Sequence, residues 1–129
     1  MGAWGTGPFE NDSALDWLAE VEDVEPDQAL LDAFEAVEGI DYVEVDEGAI
    51  AVAAATILRA AMRREAIDRP EEAARMSVAI EPTSELRRLA VVALDAVLGD
   101  RSELAELWAE TGGEWRRETE ALRDAIAKG

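Results

Sequence analysis

The chain has 129 residues, 30 Asp and Glu against 12 Lys and Arg, a formal net charge of -18, and neither cysteine nor histidine. That length suits one domain, spanning 1–129, around a single core. Without Cys or His there is no disulfide framework, no ordinary zinc site and no Ser-His-Asp or Cys-His catalysis, so a cytoplasmic protein without a cofactor is expected.

Six helices with short connections are predicted, an all-α single-domain bundle. The first starts near Asn11 or Asp12, either of which can accept from a free backbone N–H, with Leu15, Leu18 and Ala14 facing inward and Trp17 on the flank. Pro26 stops this segment and opens a second helix that runs to Gly39, with Leu30, Phe34 and Val37 as its apolar stripe. The stretch IDYVEV alternates, Ile40 and Tyr42 against Val43 and Val45, but a lone strand has no partner, so an extended linker is expected. Asp46 then caps the longest helix, Glu47 to about Ile67. Its alanine-rich surface, including Ala49, Ala53 and Ala60 beside Ile50, Ile57 and Met62, lets neighbours approach from several sides and puts it at the centre. Residues 68–83, bounded by prolines, are expected to hold a helical turn over EEAARM followed by loop. A helix from Ser84 to Leu98 follows, with Leu86, Leu89, Ala93 and Val97 in one stripe, widened by Val91, Val92, Leu94 and Leu98. Gly99 ends it. Asp100 with Glu103 has the spacing of a capping box that turns Leu104, Leu107 and Trp108 inward. After Gly112 and Gly113 the last helix carries Trp115, Leu122 and Ile126 on one face and an Arg116–Glu120 pair on the other.

The opening GAWGTGPFENDSALDW asks for a separate explanation. Glycines at 2, 5 and 7 permit backbone angles that other residues avoid, so the terminus can fold tightly while Trp4 and Phe9 anchor it on the bundle. The functional alternative is a binding patch made of Trp4, Phe9 and Trp17. Glu10, Asn11, Asp12 and Asp16 also gather oxygen atoms that suit a calcium or magnesium ion if Asp46 or Glu47 comes near, although the spacing is not that of an EF-hand. Helix capping accounts for the same residues and is the expected role.

MGAWGT matches the N-myristoylation pattern with Gly2 and Thr6, but no base lies near to supply a second membrane signal. No basic n-region or apolar h-region marks a secretory signal, and AIAVAAATILRAAM is too short to span a bilayer. No membrane partner is expected.

The opening MGAWGTGPFENDSALDW, together with SELAELWAETGGEWRRETEALRDAI, closely resembles a bacterial family catalogued as a domain of unknown function, number 4259. The matching positions are Gly2 to Gly5, Phe9, Asn11, Asp12, Ala14, Leu15, Asp16 and Trp17, then Ser102 to Leu104, Leu107, Trp108, Glu114 and Trp115. The likeness spans almost the whole chain and brings no activity, cofactor or catalytic residue with it.

Residues 1–50 contain fifteen acids and no base, whereas residues 51–129 contain fifteen acids and twelve bases, the first being Arg59. Such a first half repels nucleic-acid phosphates unless Arg59, Arg63, Arg64, Arg87, Arg88, Arg116 and Arg117 converge on one face, so nucleic acid is not an expected partner. A basic protein is, which makes a non-catalytic interaction module, immunity- or antitoxin-like, the favoured reading. The alternatives are a small carboxylate-based metal site or enzyme built on Glu10, Asp12, Asp16 and Asp46, and excess charge that serves solubility alone.

Overall fold

The computed structural model describes residues 5–129, and the expectations for Gly2 and Trp4 lie outside the described residues. Among those residues the chain forms seven helices: α1 (Asp12–Glu20), α2 (Pro26–Glu35), α3 (Val45–Arg63), α4 (Glu71–Ala79), α5 (Ser84–Leu98), α6 (Glu103–Ala109) and α7 (Glu114–Lys128). The all-α bundle is as expected; α4 is the addition to the predicted six. Its sequence signal is weak because its fully covered face consists of two small residues, Ala73 and Ser77, with Met76 only half-buried beside them. Ser77 satisfies its hydroxyl by donating to the Ala74 carbonyl at 2.9 Å, which allows a polar residue inside.

α3 is the axis of the molecule and touches all six other helices. Ala51, Ala53, Ala54 and Ala55 are each fully buried, so this helix is covered on every side rather than along one stripe. Methyl groups there let neighbouring backbones approach closely, and larger side chains fill the resulting space. Those fillers include Leu30 and Phe34 of α2, Leu94 of α5 and Ile126 of α7, all fully buried. α7 packs on α5, where Arg123 forks onto both carboxylate oxygens of Asp95 at 2.8 and 3.3 Å. The pair is partly exposed and contributes little beyond orientation.

Several local expectations change. Asn11 fixes the frame of α1 by accepting from the Ala14 amide at 2.8 Å, and the inward positions are then Ala14, Trp17 and Leu18. Trp17, expected on the flank, is therefore core at 6 % exposure, and Leu15, expected inside, is turned out at 36 %. α3 starts at Val45, not Glu47, and its N-cap is Glu44, whose amide donates to Glu47 Oε1 at 3.4 Å. Asp46 is turned away to another helix. α3 also stops at Arg63, short of Ile67, with Arg64 in the left-handed region at φ 55°. α6 is capped by Ser102, whose hydroxyl oxygen accepts from the Ala105 amide at 3.2 Å, so Asp100 and Glu103 form no capping box. α2 stops at Glu35, short of Gly39, which follows after further turns and takes a positive φ of 73°.

The central claim for packing is testable by equilibrium urea unfolding. Ala54→Leu introduces three heavy atoms where neighbouring backbones leave no room and is expected to destabilise by about 1–3 kcal/mol. Ala109→Leu, on an exposed position, is expected to stay within about 0.5 kcal/mol of the parent.

Candidate functional site

The linker before α3 and the segment before α6 are joined by a single parallel bridge, Val43 to Ser102. The Val43 amide donates to the Arg101 carbonyl and the Glu103 amide to the Val43 carbonyl, each at 2.8 Å. IDYVEV is thus an extended linker tied at one point, with Val43 buried and Ile40 and Tyr42 exposed. The bridge sets the starts of α3 and α6 side by side. Glu103 uses that proximity: its Oε1 accepts from the Val45 amide at 2.9 Å, satisfying an N–H at the start of α3 from a different helix.

Two further helix starts join these. The Ser13 hydroxyl of α1 donates to Asp46 Oδ1 of α3 at 2.6 Å, and the Thr6 hydroxyl of the N-terminal segment donates to Glu114 Oε2 of α7 at 3.1 Å. The N-terminal segment is held by the Gly7 amide, which donates to Glu10 Oε1 at 2.8 Å. Glycine is used here for space. Gly7 takes no positive φ, contrary to the expectation, and a Cβ on Gly5 would stand 2.6 Å from that carboxylate oxygen.

Between these starts lies a cavity of about 190 Å³. Its apolar wall is formed by Ala49 and Val52 of α3, Leu104, Leu107 and Trp108 of α6, and Trp115 of α7. Gly5, Thr6, Gly7 and Pro8 close one side. Among its described lining residues, Asp46 and Glu103 are the acids and none is Lys or Arg. Both carboxylates already accept one intramolecular hydrogen bond through one oxygen.

Glu44, Glu103 and Glu106 place three carboxylates near Tyr42 at this end of the bundle. Tyr42, the only tyrosine of the chain, donates its hydroxyl to Glu106 Oε1 at 2.7 Å. Its pKa is pushed from the ordinary 10.0 up to about 12, first by that hydrogen bond, then by desolvation and by the charges of Glu106, Glu103 and Glu44. The neutral phenol is the favoured form, so the Tyr42 contribution to stability is complete below about pH 10 and is lost as pH rises through about 12.

The residues singled out from sequence are distributed rather than gathered. Glu10 holds the Gly7 amide, Asn11 caps α1, Asp12 and Asp16 are exposed on α1, Phe9 is half-buried and Trp17 is in the core. Asp46 does approach the start of α1, through Ser13. Among the described residues no group of three or more Asp or Glu side chains is arranged to hold a metal ion. Also among the described residues, no helix is long and apolar enough to cross a membrane. Glu103, Leu107 and Trp108 were readable as parts of a helix pattern, but their meeting with Asp46 and Trp115 depends on the Val43 bridge. The family resemblance was the available signal. Gly5 and Asn11 from the opening stretch line the same cavity as Glu103, Leu104, Leu107, Trp108 and Trp115 from the later one.

The Tyr42 shift is measurable by absorbance at 295 nm, since one tyrosine titrates. The phenol is expected to ionise with a midpoint near about 12, and Glu106→Gln, which removes the charge and keeps an acceptor, is expected to move the midpoint down toward 10. A midpoint near 10 in the parent contradicts the Tyr42–Glu106 contact.

No curated protein and no solved structure matches the chain. The family model described as "Domain of unknown function (DUF4259)" matches residues 2–118, the stretch that includes every helix start around the cavity, and the chain belongs to that family.

Proposed function

We propose that the protein is a non-catalytic interaction module of the cytoplasm that binds a basic protein partner through its acidic first half, as an immunity or antitoxin-like protein does. One observation carries this reading. Of the fifteen acids in residues 1–50, all but the half-buried Glu47 are exposed, and among the described residues every ion pair takes its acid from residues 65–124. The basic residues of the chain, where they pair, pair with later acids: Arg59 and Arg63 with Glu65, Arg75 with Glu71, Arg116 with Glu120. Charge needed only for solubility works equally well when interspersed with bases. A one-signed run across α1, the following turn and α2 instead builds a field that steers an oppositely charged surface and accelerates its docking. Nucleic acid is disfavoured by the same sign of charge.

The test is capture of partners by the tagged protein from a lysate of the organism that encodes it, at low and moderate salt, beside a variant neutralised at the end of α1 and in the turn after it (Glu20→Gln, Glu22→Gln, Asp23→Asn, Glu25→Gln). A basic protein held at low salt, released as salt rises and not held by the variant is the expected result. Partners indifferent to both salt and the substitutions, or an empty column at both salts, would count against the proposal.

A further inference from the structure

The cavity at the helix starts has features that a generic acidic surface does not. Its walls are aliphatic and aromatic, and the two acids among its described lining residues meet at the start of α3: Asp46 lies in its first turn, and Glu103 accepts from the amide of Val45, the residue before Asp46. An occupant that complements this shape has an apolar stem and a cationic end. We propose that the cavity seats a lysine side chain of the basic partner, its methylenes against Val52, Leu104 and Leu107, its ammonium between Asp46 and Glu103. This rests on the acidic half being the recognition surface, and adds the residue that is recognised and the place.

Lysine is favoured over arginine by the hydrogen bonds already present. Asp46 gives Oδ1 to Ser13 and Glu103 gives Oε1 to Val45, which leaves one oxygen on each of two carboxylates from two helices. A guanidinium fork prefers both oxygens of one carboxylate, whereas an ammonium is a point charge with three separately directed donors. Trp108 and Trp115 belong to the same lining and add aromatic surface to the seat of the apolar stem. On the same helix as Glu103, Glu106 accepts the Tyr42 hydroxyl and raises its pKa, with the charges of Glu106, Glu103 and Glu44 adding to the rise. Among the described lining residues there is no Lys or Arg to compete for the carboxylates. A side chain that enters a preformed apolar pocket and meets charge at its edge is the usual form of an interface anchor.

The probe is an end-blocked oligolysine peptide, with an oligoarginine peptide of equal length beside it. Binding is followed on ¹⁵N-labelled protein through the Trp108 and Trp115 indole N–H resonances, and Kd is measured by calorimetry. Saturable shifts of both indole resonances, with oligolysine binding more tightly than oligoarginine, are expected. The double variant Asp46→Asn, Glu103→Gln keeps the acceptors used by Ser13 and Val45, so an unchanged melting midpoint is expected with oligolysine binding weakened roughly tenfold or more. The surface pair Glu22→Gln, Asp27→Asn removes the same charge and is expected to weaken it about threefold or less. Equal weakening in both double variants with unmoved indole resonances overturns the cavity assignment and leaves the acidic-surface reading standing. Tighter binding of oligoarginine overturns the choice of lysine. Failure of both peptides to bind overturns the cavity assignment and the acidic-surface reading together.

Discussion

The constraint on which the rest of this structure depends is the width of α3. A helix can be touched by six others within a chain this short only if its own side chains take up little room, and Ala51, Ala53, Ala54 and Ala55 meet that condition on successive faces. Alanine also carries the best intrinsic helix propensity, so the residue that permits close approach also favours the 19-residue helix itself. The transfer free energy comes from the partners: Phe34, Leu30, Leu94 and Ile126 each remove a large apolar side chain from water, roughly 1.5–3 kcal/mol apiece. Central small residues and peripheral large ones are one packing solution read from its two sides.

That arrangement brings helix starts together at one end. α1, α3, α6 and α7 all begin around the cavity, and unsatisfied amides at those starts attract oxygen acceptors. Asn11 and Ser102 answer from their own chain turns, while Glu103 answers for a different helix. The carboxylates of this end thus have a structural reason to be present and still retain one oxygen each for an outside donor. Beyond the rim, the acids of α1 and α2 extend the same sign of potential across the surface, so a steering field and a shaped recess lie on one molecule.

Much of this was legible in the sequence, for identifiable reasons. The stripes Leu30, Phe34, Val37 and Leu86, Leu89, Ala93, Val97 are periodic and strongly apolar, and all seven are buried as their spacing requires. α3 announced its central place through alanine content. α4 is hard to see in the sequence because helical periodicity is carried by large apolar residues, and its fully buried positions, Ala73 and Ser77, are small. Leu15 and Trp17 were exchanged because positions 14, 15, 18 and positions 14, 17, 18 each form one face of a helix with about 3.6 residues per turn. The start of α3 and the cap of α6 were misplaced because neighbouring residues compete for each cap: Glu44 with Glu47 prevails over Asp46, and Ser102 over Asp100, beside a Val43–Ser102 bridge between segments about sixty residues apart. The cavity was hidden because its walls come from four helices, and only the family resemblance grouped its two sequence ends.

Amide hydrogen exchange of the protein alone and with its captured basic partner tests the account most directly, because it locates the contact without assuming it. Slowed exchange across the first turns of α3 and α6, together with the segment joining α1 to α2, is the predicted footprint. Protection confined to α4, α5 or the second half of α7, with the cavity rim and the acidic first half unchanged, would contradict it.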